Sequence, residues 1–152
     1  MEFIEIDKFY ILLFPLIIGT FIWLLKFFVF YYRHNFDWNY AIKHGITYGH
    51  MPSAHTGFVT ALATSIGYYA GISSGSFTIS FAFAIIIIDD ALHLRIYMGD
   101  QGKRLNFITR QMNMNEKDFP RLKERVGHRK SEVLVGGILG FLLTFILIKL
   151  FG

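Results

Sequence analysis

The sequence predicts an all-α fold, an integral membrane helical bundle with about four transmembrane helices plus a cytoplasmic amphipathic segment. Three observations lead there. Hydrophobic residues make up 53% of only 152, and 17 of them are Phe, more apolar surface than so small a soluble domain can hide. Several runs approach the roughly 20 apolar residues that span a bilayer. The charges are concentrated in the polar segments between those runs. Residues 1–152 read as a single transmembrane domain.

The first span runs roughly from Phe9 to Tyr32, with Trp23 and the Tyr31-Tyr32 pair suited to the membrane interface. The second starts near Pro52, a residue that fits the first turn of a helix, and reaches about Tyr69. A tight turn at Gly71-Ile72-Ser73-Ser74-Gly75 leads to the third, about Phe77 to Tyr97. The fourth begins near Ser131 and ends at Leu150. Polar segments 33–51 and 98–130 join these spans. Within the latter, Leu105, Ile108 and Met112 recur at helical spacing, so Arg104 to Met114 reads either as an amphipathic helix on the membrane surface or as a solvated connector.

Charge sets the expected orientation. From Arg95 to Lys130 there are ten Lys/Arg against four acids, a net +6. The 33–51 segment adds Arg33 and Lys43 against Asp37. The first eight residues carry Glu2, Glu5 and Asp7 against Lys8, where a cleavable signal would begin basic. The positive-inside rule puts both long polar segments in the cytoplasm and both termini outside. On that topology the two helices that begin near His55 and His128 start at the same face. The absence of cysteine excludes a disulfide framework, a thiolate metal site and a cysteine nucleophile.

Five groups of residues could carry chemistry. Lys26 and Arg33, seven positions apart, share one helical face about 10 Å apart along the axis. Lys26 lies inside an apolar span, where a charge marks function or pairing unless it snorkels to the headgroups. In Pro52-Ser53-Ala54-His55, Ser53 and the first-turn N–H groups suit an anion and His55 can donate a proton; a capping serine beside an interfacial histidine is the plain alternative. Asp89 and Asp90 follow four isoleucines and point in different directions, with Arg95 near enough to pair with Asp90. A metal site with Asp100 as third ligand lacks convincing ligand spacing. His128 and Glu132 stand at i and i+4, where a carboxylate on one ring nitrogen frees the other to attack phosphorus; a capping arrangement on an exposed turn is the alternative. Gly136 and Gly140 form a GxxxG pattern for close packing, within the monomer or in a homo-oligomer.

Lys26-x6-Arg33, Pro52-Ser53-Ala54-His55 and His128-x3-Glu132 together resemble the type-2 phosphatidic acid phosphatase superfamily. The closer resemblance is to the divergent PAP2 family, a branch related to acid phosphatases and vanadium-dependent haloperoxidases. That branch also carries blocks like Asp90-Ala91-x3-Arg95, Gly99-x-Gln101, Leu105-Asn106, Leu122-Lys123-Glu124-x2-Gly127-His128 and Glu132-Val133. The resemblance covers about residues 20 to 140. It implies that His128 is the nucleophile, Glu132 its orienting acid, and His55 the group that protonates the leaving alkoxide and later activates water. Lys26, Arg33 and Ser53 would bind the phosphoryl oxygens, with no metal and no cofactor. The chain departs from the wider pattern at His34, Ala54 and Leu122, where proline, glycine and arginine are usual, at Glu132, where Asp is usual, and at His93, where the divergent branch often has glycine. Arg95, Arg121, Lys123 or Arg125 could replace the arginine, and Arg95, which Asp90 can position through a salt bridge, fits best.

The expected function is therefore a metal-independent membrane phosphatase acting on a lipid phosphomonoester or pyrophosphate at the cytoplasmic face of the inner membrane. Phosphatidylglycerophosphate is the favoured substrate and polyprenyl phosphates come second. Phosphotransfer to an alcohol is a second enzymatic reading; for haloperoxidase chemistry a small four-span protein is a poor host. A third reading is a non-catalytic protein that binds anionic lipids through its +6 segment. The expected partners are the lipid phosphate and the membrane, with no nucleic acid.

Overall fold

The computed structural model describes residues 3–42 and 50–151, with side chains from Phe9 onward. Glu2, Lys43 and the side chains of Glu5, Asp7 and Lys8, which entered the charge argument, lie outside the described residues. Everything regular among those described is helical: α1 (Phe3–Arg33), the single turn α2 (Trp38–Tyr40), α3 (Ala54–Tyr69), α4 (Gly75–Asp89), a π-turn (Asp90–Leu94), α5 (Arg95–Gln111) and α6 (Lys130–Phe151).

Among the described residues three helices are long and apolar enough to cross a membrane: Phe9–Arg33, the continuous Gly75–Gln111 and Lys130–Phe151. The count of about four is corrected by α3. Its 16 residues extend about 24 Å, short of the roughly 30 Å hydrocarbon core. The reason lies in its neighbours. α3 packs against α1, α4 and α6, so it buries Thr56, Gly57, Val59, Ala61 and Ser65 against protein and needs no continuous apolar coat. Helix α3 also begins later than expected. Ser53 is the N-cap, its hydroxyl accepting from the Thr56 N–H, so Pro52 stands before the cap and outside the first turn.

The third span also differs from expectation. Its helix does not stop at Tyr97 but runs 37 residues to Gln111, about 55 Å, well beyond the apolar core. The Arg104–Met114 stretch is therefore largely the outer end of that helix and not a separate surface helix. Leu105, Ile108 and Met112 remain exposed, while Gly99, Gly102 and Asn106 form the buried stripe. Helix α5 packs on segment 120–128 along this stripe, which is why small residues line it.

The tightest helix contact joins α3 to α6. A Cβ at Gly136 would strike the Ser53 carbonyl oxygen, and one at Gly140 the Gly57 carbonyl oxygen. The GxxxG pattern thus serves packing inside the monomer. Ile18, Ile22 and Ala61 close the core beside it, with Leu139, Leu143 and Leu147 from α6. Gly140→Ala should force the two backbones apart and destabilise the fold by about 1–3 kcal/mol, read as an earlier loss of helical ellipticity on denaturation in detergent micelles.

Candidate active site

One cavity of about 610 Å³ lies between α1, α3, α4 and the start of α6, and Lys26, His55 and His128 all line it. Each arrives for a local reason. Lys26 sits on the inward face of α1 and is 6% exposed. His55 occupies the first turn of α3, set by the Ser53 cap. His128 belongs to the segment before α6 and has a side chain only 2% exposed. Along α1 the lining continues from Lys26 back through Trp23, Thr20 and Gly19 to Leu16, with Phe58 and Phe83 opposite. The cavity therefore has a cationic, imidazole-bearing end and an apolar body.

His128 is held at its backbone and at its ring. Its backbone N–H donates to the Ala91 carbonyl at 3.1 Å. That carbonyl is available because the π-turn sends the Arg95 N–H to Asp90 instead of Ala91. On the ring, Nδ1 lies 3.0 Å from Glu132 Oε2. The Glu132 carboxylate also accepts from Arg125 at 2.8 Å and from the Arg129 N–H at 3.1 Å. A carboxylate gathering donors in this way makes Nδ1 the protonated nitrogen and leaves Nε2 with its lone pair. Helix α6 starts at Lys130, so His128 and Glu132 do not share a helical face. Glu132 instead reaches back from the first turn as in a capping box, and one carboxylate caps the helix and orients the histidine. Burial holds the His128 imidazole below the usual histidine range; Glu132 opposes this, while Lys26 and Arg95 add to it. The ring is neutral at pH 7, the form that can attack.

The segment carrying His128 is fixed on α5. Asn106 donates to the Leu122 carbonyl and accepts from the Leu122 N–H, both at 2.9 Å, as an extra strand would. A Cβ at Gly99 would lie 2.5 Å from the Glu124 carbonyl oxygen and one at Gly102 2.7 Å from that of Lys123. Gly99-x2-Gly102-x3-Asn106 lies on one helical face, the signal in the sequence that this strap exists.

The sequence of the Divergent PAP2 family matches residues 8–143. The chain belongs to the divergent PAP2 family. It is also 39% identical, over 115 residues, to the uncharacterized membrane protein YuiD of Bacillus subtilis (strain 168), an alignment that covers 68% of this chain and 73% of that protein. No solved structure matches.

Among the residues that the PAP2 resemblance implicates, Lys26, His55, His128 and Glu132 meet at one place, while Ser53 and Arg33 are placed differently. Ser53 is fully buried, its hydroxyl engaged with the Thr56 N–H and 2.9 Å from the Thr56 hydroxyl. Arg33 lines a separate cavity with His34, His50, Arg125 and Arg129; the seven-residue spacing puts it a further turn or two outward than Lys26. At the position of the missing family arginine, Leu122 is strapped to Asn106. Arg95 interacts electrostatically with both His55 and His128, and its Nε donates to Asp90 Oδ2 at 2.6 Å. Asp89 points outward to His93 at 2.7 Å. Among the described residues no three His, Asp or Glu gather as a metal site.

The site has two consequences in solution. Asn106→Ala should remove both Leu122 hydrogen bonds, cost about 1–3 kcal/mol and raise amide hydrogen exchange across 121–128 more than elsewhere. Acid should also weaken the fold. Burial, Arg125 and Lys26 push His50 down to about 4. Between an ordinary pKa near 6.5 and that value, the unfolded chain takes up a proton that the folded chain does not. Stability is then present above pH 6.5 and falls as pH drops through this window, and His128 contributes with the same sign. His50→Gln should flatten the dependence of the thermal midpoint on pH between about 6.5 and 4.

Proposed function

We propose that the protein is a membrane lipid phosphatase that hydrolyses a lipid phosphomonoester or pyrophosphate through a phosphohistidine on His128. The observation that carries this reading is the single cavity in which Lys26, His55 and His128 face an apolar body formed by residues such as Leu16, Trp23, Phe58 and Phe83. An ester with a charged head and a hydrocarbon tail matches that division. Nε2 of His128 attacks phosphorus as the bond to the lipid oxygen breaks, and His55 gives that oxygen a proton. His55 then takes a proton from water, which attacks the phosphohistidine and releases inorganic phosphate and free His128. Glu132 holds the Nδ1 proton throughout. Lys26, with Arg95 behind the histidines, offsets the negative charge on the phosphoryl oxygens.

The net +6 between Arg95 and Lys130 favours a cytoplasm-facing site, and with it a lipid intermediate made on that face. Phosphatidylglycerophosphate is the preferred candidate and polyprenyl phosphates the second. An alcohol in place of water would give phosphotransfer at the same phosphohistidine, and product analysis with added acceptor alcohols separates the two.

The test is phosphate release by purified protein from a panel of lipid phosphates, with EDTA present. His128→Ala should lower the rate by about 10³-fold or more and His55→Ala by about 10²-fold or more. Equal release by His128→Ala and the unaltered protein sinks the mechanism.

A further inference from the structure

Behind Glu132, on the side away from the histidine cavity, lies a second cavity of about 390 Å³. Its charged walls are Arg33 at the end of α1, Arg125 in the strap and Arg129 just before α6, with Glu132 the acid among them. His34, His50 and Ser131 complete the polar lining. The Arg125 guanidinium donates to Glu132, whereas among the described residues neither Arg33 nor Arg129 has a carboxylate partner. His50, with its pKa near 4, is neutral at pH 7 and offers a ring nitrogen without adding charge. Three guanidiniums and one carboxylate leave the cavity with a net positive charge of two.

We propose that this cavity is a second anion site, taking a phosphate or phosphate monoester distinct from the phosphoryl group at His128. Arginine forks match the tetrahedral oxygens of such an anion. Three guanidiniums, one from the end of α1 and two from the segment before α6, line the space, so a single anion offsets repulsion that the fold otherwise carries. Two sources share this chemistry, a lipid headgroup and free phosphate. The site does not depend on His128 being a nucleophile, so the two proposals fail independently.

Histidine-ring NMR of the full-length protein tests it without turnover. His50 reports the arginine cavity and His55 the other. Inorganic phosphate is titrated into protein in phosphatidylcholine nanodiscs, and separately phosphatidic acid is added to the discs with no free phosphate. The His50 signal should move in at least one arm, and the responding arm identifies the source. Arg129→Gln should raise the His50 midpoint about tenfold and leave the His55 midpoint where it was. Arg33→Gln, on an exposed side chain at the end of α1, should do the same. A His50 signal that stays still in both arms overturns the proposal. So does a midpoint that neither variant changes.

Discussion

Backbone contact between α3 and α6 fixes the separation of the two histidine-bearing helix starts, and the site inherits its dimensions from that distance. The Gly57 carbonyl oxygen occupies the space a side chain on Gly140 would need, and the Ser53 carbonyl does the same at Gly136. Where the helices touch at their polar ends, the Ser53 N–H donates to the Glu132 carbonyl at 3.0 Å. That bond ties the cap of α3, one helical residue before His55, to the first turn of α6, whose carboxylate holds His128. The free N–H groups that every helix start exposes are used here to join two starts together. Ser53 is consumed in this joint, which accounts for its burial.

A residue ahead of a helix has no helical ladder to fix it, and His128 depends on neighbours for its place. The π-turn releases the Ala91 carbonyl, and the strap on α5 sets the approach of the chain. The same five-residue turn brings Asp90 and Arg95 into contact, so one local irregularity supplies both an anchor for His128 and a fixed guanidinium nearby. Irregular helix turns at functional sites are a recurrent device because they free backbone groups without ending the helix. In this chain the device sits at the C-terminal end of an apolar run, where the helix passes from Ile85–Ile88 to its polar extension.

How much of this was legible in the sequence follows from what each element faces. A helix facing lipid must be apolar along its length, so hydropathy places the end of α1, the start of α4 and both ends of α6 within a few residues. α3 faces protein: its ends lie within two residues of the expected Pro52 and Tyr69, but apolar composition alone does not show that so short a helix falls short of a span. That Asp89 and Asp90 point in different directions follows from rotation along a helix, and Arg95 stands near enough in sequence to pair with Asp90. The π-turn was not, because a single extra residue in one turn leaves no compositional mark. Arg33 shows the limit of face arguments: spacing put it on the same side of α1 as Lys26, but the cavity ends before Arg33 does, and only the tertiary position of α6 decides that. The Asn106 strap could have been read from the Gly99, Gly102 and Asn106 stripe, had the exposed Leu105, Ile108 and Met112 not drawn the amphipathic reading.

Glu132 sits at the centre of the charge arrangement. One oxygen faces His128 and the Arg129 N–H, the other Arg125, so a single carboxylate separates two cationic cavities. Its side chain is 6% exposed, and a carboxylate so buried persists only with its oxygens well satisfied. Two of its three donors, the Arg129 N–H and the His128 ring, lie three and four residues back on its own chain, so their geometry is set locally at the start of α6, while Arg125 joins from the strap. Capping α6 and orienting His128 are therefore one contact, and the same carboxylate cannot be moved without undoing both.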